Sequence, residues 1–89
     1  MNITFDTLVF REGGMYVAHC PQLDVASCGN TVEEARTNIA EAVRLFLEEA
    51  AKMGTLQDIL DEAGYEPDNG ALVPPRLIAT ESMAVTIAG

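Results

Sequence analysis

Residues 29–54 have the sequence GNTVEEARTNIAEAVRLFLEEAAKMG, which carries the clearest helix signal in the chain. Thr31 is followed three residues later by Glu34, the spacing of a capping box, in which each side chain bonds the backbone amide of the other residue. Glu33 and Glu34 also suit the positive end of the helix dipole. Gly54 favours an end to the helix, because glycine adopts a positive φ without strain. We therefore predict a long helix with Thr31 and Glu34 as its structural N-cap.

The apolar residues of this helix recur every three or four positions, so they form one stripe. Arg44, Glu48 and Lys52 lie on the opposite side, which we expect to face solvent. The stripe predicts that the helix packs on one face of a sheet. Its members are Val32, Ala35, Ile39, Ala42, Val43, Phe46, Leu47, Ala50 and Met53.

Three strand signals precede the helix. Residues 2–10 and 15–20 are separated by Arg11-Glu12-Gly13-Gly14, whose glycines favour a hairpin turn. Residues 24–28 follow the Pro21-Gln22-Leu23 break as a short third strand. We therefore expect a small, mainly antiparallel sheet that the long helix covers on one face.

Both faces of the predicted hairpin carry large apolar side chains. A loop at residues 12–13 places Phe10 opposite Met15, and Leu8 then lies opposite Val17. A sheet that is covered on one side only usually alternates more cleanly between apolar and polar residues. One face can take the helix, so a second subunit, another partner or the C-terminal segment should cover the other. The remaining face is assigned Phe5, Val9, Tyr16, Ala18 and Cys20.

The second half of the chain has weaker signals. Thr55 and Asp58 have the spacing of another capping box, which predicts a short helix over residues 55–64. Proline and glycine favour a loop over residues 65–79, and alternating apolar residues predict a terminal strand over residues 80–88. The sequence thus predicts a single α+β domain over residues 1–89, in the order β-β-β-α-α-β, with its core at about residues 2–53.

Composition and charge narrow the kinds of partner. Hydrophobic residues make up 48% of the chain, which is typical of a globular protein. Fourteen acidic and five basic residues give a net charge of −9, which disfavours direct binding to nucleic acid. The acidity either attracts a basic partner or only keeps the protein soluble. No targeting signal or membrane-length apolar run is present, and two cysteines suit a reducing cytoplasm.

Catalytic and metal-binding patterns are weak, so we expect no enzyme activity, metal or cofactor. His19 and Cys20 are adjacent and therefore point to opposite faces of a strand, and Cys28 completes no zinc-site spacing. A buried, inert role is the simpler interpretation of both cysteines. A metal-dependent nuclease using Asp6 or Asp24 is the enzymatic alternative.

Several short motifs, in order over residues 3–53, resemble the HicB-type antitoxins. The family has a Gly-Gly-Tyr hairpin, a Pro-x-Leu turn, a Gly-Asp-Thr helix start and a Glu-Ala helix. Asn30 stands here in place of the usual aspartate, and Asp24-Val25 replaces a Pro-Gly pair. The matching segments are Gly-Gly-Met-Tyr-Val-Ala at 13–18, Cys20-Pro21-Gln22-Leu23, Gly-Asn-Thr-Val-Glu-Glu-Ala at 29–35, Asn38 and Glu41-Ala42.

The resemblance implies a partial ribonuclease-H-like domain that neutralises a small basic ribonuclease toxin of the HicA type. Many such proteins also carry a C-terminal DNA-binding segment, but the last part of this chain is acidic and loop-rich, so we expect no direct DNA binding. We predict a HicB-like antitoxin that forms a homodimer or larger homo-oligomer. The alternative is a homo-oligomeric module without a toxin. The predicted contact residues are Phe10, Met15, Tyr16, Val17, His19, Pro21 and Leu23.

Overall fold

The computed structural model describes residues 1–89, which form two three-stranded sheets and two helices. This architecture confirms the predicted α+β class, with a long and a short helix following the first strands. The helices are α1, Val32–Met53, and α2, Leu56–Glu62. The strands are β1 (Asn2–Ile3), β2 (Leu8–Glu12), β3 (Met15–Cys20), β4 (Val25–Gly29), β5 (Glu66–Asp68) and β6 (Ala71–Val73).

The main sheet has the order β2-β3-β4, and both of its strand pairs are antiparallel. The predicted register of its hairpin was wrong by two residues: Phe10 pairs with Val17, and Glu12 pairs with Met15. The difference arises because the turn lies at Gly13-Gly14, where Gly13 has a φ of 61°. A shift of two residues leaves every side chain on its predicted face, because side chains alternate with a period of two.

Helix α1 begins and ends where the sequence predicts. The Glu34 amide donates to the Thr31 hydroxyl at 3.0 Å, and Gly54 ends the helix with a φ of 77°. The return bond of the capping box differs by one residue, because the Glu34 carboxylate accepts from the Asn30 amide at 3.3 Å instead of from Thr31. Residues next to each end of α1 thus determine where the helix begins and ends.

The core lies between α1 and one face of the main sheet. Ala18 and Cys20 from β3 are fully buried against the helix, and Ile39 is 1% exposed at its centre. The apolar stripe of α1 is wider than the surface that it buries, since Phe46 remains 37% exposed and Met53 68% exposed. The residues of α1 that are buried are Ala35, Ile39, Val43, Leu47 and Ala50.

A second, smaller sheet joins the two ends of the described fold. Residues 65–79 were predicted to be a loop, but they contain the β5–β6 hairpin, and β1 pairs in parallel with β6. The predicted strand over residues 2–10 is therefore two strands, because its start bonds β6 and its end bonds β3. The Tyr65 hydroxyl donates to the Thr4 carbonyl at 2.6 Å and ties these segments together.

The predicted second capping box does not form. Thr55 has helical backbone angles, and its side chain makes no capping bond to α2. Its hydroxyl instead donates to the Ala50 carbonyl at 3.4 Å, in the last turn of α1. Because α2 follows α1 after a very short connection, the Thr55 hydroxyl donates to the end of α1 instead of accepting from an amide at the start of α2.

The predicted terminal strand over residues 80–88 is wrong for the isolated chain. Residues 74–89, here called the C-terminal segment, contain no helix or strand and make no hydrogen bond. Met83, Val85 and Ile87 are 87–90% exposed. A strand needs a neighbour to bond its backbone, and this segment has none.

Neither helix is both long and apolar enough to cross a bilayer.

Candidate protein-binding surface

The face of the main sheet that points away from α1 is a continuous apolar surface, here called the outer sheet face. Ala18, Cys20 and Gly29 point to the helix, so the residues that alternate with them point outward. The strand register aligns two complete rows across the three strands. The rows are Leu8, His19 and Ala26, and Phe10, Val17 and Cys28; Glu12 and Met15 extend the face at the turn.

The outer sheet face is apolar but is not covered by any element of the chain. Phe10 is 51% exposed and Met15 40% exposed, whereas Ala18 and Cys20, on the other side of the same sheet, are fully buried. Glu12 is the only acidic residue within its strands. Contiguous exposed apolar surface of this kind marks sites where proteins bind one another.

The structure distributes the predicted contact residues over both sides of the sheet. It brings Phe10, Met15, Val17 and His19 together on the outer sheet face. The other three lie elsewhere: Tyr16 packs against the core, Leu23 is buried at 8% exposure, and Pro21 is exposed in the turn.

Two residues of the outer sheet face, Ala26 and Cys28, were not among the contact residues predicted from the sequence. They are small, lie on the short third strand, and become part of the face only through pairing with His19 and Val17. The alternation along β4 could have revealed them, since Val25 and Ser27 point to the helix side.

His19, for which the sequence suggested no partner, has one in the structure. Its Nε2 lies 3.1 Å from Oδ1 of Asp24, in the turn before β4. Asp24 adopts a positive φ of 53°, and its side chain is 96% exposed. The His19–Asp24 pair therefore forms a polar boundary at the edge of the outer sheet face.

The Pro-Gln-Leu turn is held by Gln22, whose amide group joins three segments. Its Nε2 donates to the Asp6 carboxylate, while its Oε1 accepts from the Asp6 amide at 3.0 Å. The Cys20 thiol also donates to Oε1, at 3.6 Å. Burial raises the pKa of the Cys20 thiol, which keeps it protonated and unreactive. These contacts give the turn a structural role beside the outer sheet face.

Eight of the fourteen acidic side chains lie on the two helices, and α1, which carries five of them, packs on the sheet face opposite the outer sheet face. Residues 31–64 hold eight acidic and three basic residues, and all eight acids are exposed. Arg44 bonds both Glu41, at 2.6 Å, and Glu48, at 2.9 Å. The eight exposed acids of α1 and α2 are here called the acidic helical layer. Those that have no ion-pair partner are Glu33, Glu34, Glu49, Asp58, Asp61 and Glu62.

No group of three or more His, Cys, Asp and Glu side chains is placed to hold a metal ion. One apolar groove runs between β1 and α1, where Ile3, Phe5 and Leu47 line a volume of about 510 Å³. Arg44 and Glu48 also line this groove, where they form an ion pair with each other.

No family model, curated protein or solved structure matches this chain.

Proposed function

We propose that this protein is a HicB-like antitoxin, which binds a small basic ribonuclease toxin and blocks it by protein-protein contact. The observation that carries the proposal is the separation of charge: an acidic helical layer on one side and a nearly uncharged apolar sheet face on the other. The series of motifs from the hairpin through α1 supports the family assignment. The proposal places the protein in the cytoplasm and includes no direct contact with DNA.

The acidic helical layer is the side that the basic toxin approaches. Six of its acids have no ion-pair partner within the chain, so their field is available to another molecule. Charge complementarity of this kind raises association rates by about 10-fold to 1,000-fold at low salt. The exposed part of the α1 stripe, including Phe46, supplies apolar contact beside those acids.

Blocking the toxin requires only that its active surface be occupied. An acidic protein surface competes with the phosphate backbone of RNA for the same basic side chains of a ribonuclease. The antitoxin then needs no catalytic group of its own. Inhibition by this route weakens as salt is raised, because salt screens exposed charges.

The test uses the small basic protein encoded by the neighbouring gene as the probe. The tagged full-length chain is co-expressed with it, and both co-purification and rescue of cell growth are measured. Co-purification together with rescue supports the proposal. A neighbouring gene that encodes no small basic protein, or one whose product neither binds nor slows growth, overturns it.

Two charge variants then locate the binding surface. Glu49→Lys combined with Glu62→Lys reverses two unpaired acids of the helical layer, and we expect the association rate to fall about 10-fold at low salt. Glu66→Lys combined with Asp68→Lys is the matched control, because it changes net charge equally at exposed sites on β5, outside that layer. Equal effects of the two pairs would mean that net charge alone, and not this surface, directs binding.

A second candidate function is a self-associating module that has no toxin. The exposed outer sheet face favours it, since a second copy could cover apolar surface that α1 does not reach. This candidate predicts a stable homo-oligomer whose neighbouring gene is unrelated to toxins.

A further inference from the structure

We propose that residues 82–88 of one copy of this chain add as an edge strand to β2 of a second copy, so that two chains exchange their C-terminal segments. The proposal goes beyond the function proposed above and does not rest on it. The β2 edge of the main sheet is unpaired within one chain, and the C-terminal segment of a second copy would pair with it.

The C-terminal segment has the pattern of a strand and lacks only a partner. Large apolar residues at 83, 85 and 87 alternate with Ala84, Thr86 and Ala88, as on the two faces of a strand. Its backbone makes no hydrogen bond, and the larger side chains are almost fully exposed. Exposed backbone groups and apolar side chains in one extended segment are both satisfied by adding it to a sheet.

The edge of β2 is open, whereas the opposite edge of the main sheet is shielded. β4 makes the most extensive contact with α1, and Asn38 of that helix donates to the Cys28 carbonyl at 2.8 Å. β2 makes only slight contact with α1 and bonds no segment except β3. Its five residues, Leu8–Glu12, can pair with five of the seven residues 82–88.

The C-terminal segment already reaches this edge without pairing to it. Thr80, Glu81 and Ser82 line a shallow cleft together with Leu8, Val9 and Phe10. The connection begins with Pro74-Pro75, which favours an extended and stiff backbone. The radius of gyration is 15.4 Å, against about 12 Å for a compact chain of this length. The segment therefore passes the β2 edge without packing tightly on the body, and its last residues stay exposed.

Charge favours a second copy as the occupant. Two chains of net charge −9 repel each other, so they can associate only where acidic residues are sparse. The C-terminal segment holds one acid, Glu81, and one base, Arg76. β2 likewise holds one of each, Arg11 and Glu12. Both surfaces are neutral, whereas the helical layer carries most of the net charge.

The surface area that the two chains could bury also favours reciprocal exchange of their C-terminal segments. Three strands of five residues offer only about 240 Å² of sheet face, and a stable interface buries about 800 Å² on each partner. Burial of five further apolar side chains adds roughly 300–600 Å². Those side chains are Leu77, Ile78, Met83, Val85 and Ile87.

The test is sedimentation velocity on the full-length chain over a dilution series. We expect the wild type to be a dimer that dissociates on dilution. Val85→Pro and Thr86→Pro remove adjacent amides, so at least one of them removes an amide that faces β2. We expect that variant to raise the dimer dissociation constant about 100-fold or more, with an unchanged helical signal in its circular dichroism spectrum. Ala79→Pro, in the same segment before the strand, is the matched control and should remain dimeric.

Hydrogen exchange provides a second readout. In the wild-type dimer, alternate amides of residues 83–88, those that face β2, should exchange slowly, and they should exchange freely in the proline variant that is monomeric. A wild type that stays monomeric at every concentration overturns the proposal, as does slow exchange of these amides in a monomer, which would mean pairing within one chain. Dimers that survive both proline substitutions overturn it as well. The lysine variants of the helical layer should leave the dimer intact, so failure of toxin binding and failure of exchange are distinguishable.

Discussion

The two faces of the main sheet have similar side chains and very different surroundings. Ala18 and Cys20 on one face are fully buried beneath α1, while Phe10 and Met15 on the other are 51% and 40% exposed. Of these four side chains, the two larger ones lie on the uncovered face. Residue type alone does not decide burial, because one amphipathic helix can cover only one side of a sheet.

Because only one face is covered within the chain, the two faces of the main sheet contribute to different properties: one to the stability of the folded chain, the other to its association with a partner. Side chains on the covered face contribute to the folding of a single chain, since their burial accompanies folding. Side chains on the outer sheet face contribute when another molecule covers them. Substitutions on the two faces should therefore differ in which measurement they change.

The largest expected effect is that of Ile39→Ala, which opens a cavity beneath the covered face. We expect the free energy of unfolding to fall by about 3 kcal/mol, the usual cost of such a truncation in a core. The side chain is 1% exposed, so no solvent contact offsets the loss. Chemical denaturation of dilute protein measures the change, with Phe10→Ala as the comparison on the outer sheet face. A cost for Phe10→Ala as large as that for Ile39→Ala would show that the outer face is covered within one chain.

Gly29→Ala tests how closely the helix approaches the covered face. A Cβ at this position would lie 2.7 Å from the backbone nitrogen of Ala35, so the start of α1 would have to move. We expect a loss of about 2 kcal/mol, as for other overpacked sites. Gly14→Ala is the control, because nothing lies within 4 Å of its added Cβ. Thermal melting of the two variants should separate them clearly, and similar melting temperatures would contradict the close packing.

Tyr65→Phe removes the hydroxyl that joins the second sheet to residue 4. We expect a loss of about 1 kcal/mol at neutral pH, the usual net contribution of one hydrogen bond. Tyr16→Phe is the matched control, since the Tyr16 hydroxyl makes no hydrogen bond. Equal losses in the two variants would argue against the bond to Thr4.

The same tyrosine predicts a pH dependence. Burial, with smaller effects of Cys20 and Asp6, raises the pKa of Tyr65 to about 12 from an ordinary value of 10.0. The folded chain therefore holds this proton more tightly than the unfolded chain, and the resulting stabilisation is complete below pH 10. It is lost as the pH rises from 10 through about 12. The difference in unfolding free energy between wild type and Tyr65→Phe should shrink over that range; a constant difference would contradict the raised pKa.

The smallest expected effect is that of Asp24→Asn, at the polar edge of the outer sheet face. Its pairing with His19 is exposed, and exposed ion pairs contribute little. Asparagine also tolerates the positive φ of this position. We expect the free energy of unfolding to change by less than about 0.5 kcal/mol in urea titrations, and a loss above 1 kcal/mol would mean that the pair is structurally important.

Local chemistry made most of the first half of the fold predictable. The bounds of α1 follow from Thr31, Glu34 and Gly54, which satisfy the helix ends without help from distant residues. The two-sided hairpin was also predictable, because the alternation along a strand depends on neighbouring residues only. The same alternation correctly placed Tyr16 on the face of Ala18 and Cys20. The predicted contact set nevertheless included Tyr16 and Leu23, whose burial depends on what packs against them.

The second half depends on contacts between residues far apart in the chain. β1 pairs with β6 across about seventy residues, and the Tyr65 hydroxyl finds the Thr4 carbonyl 61 residues away. No local pattern encodes these partners. The same limit explains the incorrect second capping box, where Thr55 bonds the preceding helix instead of its own.

A comparison of residues 15–20 with residues 82–88 shows what the local sequence determines about a strand and what it does not. Both alternate between residue types in the way strands do, and that property is complete in the local sequence. The first is a strand because β2 and β4 flank it and bond its backbone; the second is unpaired in the isolated chain. Side-chain alternation depends on covalent geometry, whereas a strand exists only when another backbone satisfies its amides and carbonyls, and tertiary or quaternary contacts alone supply that backbone.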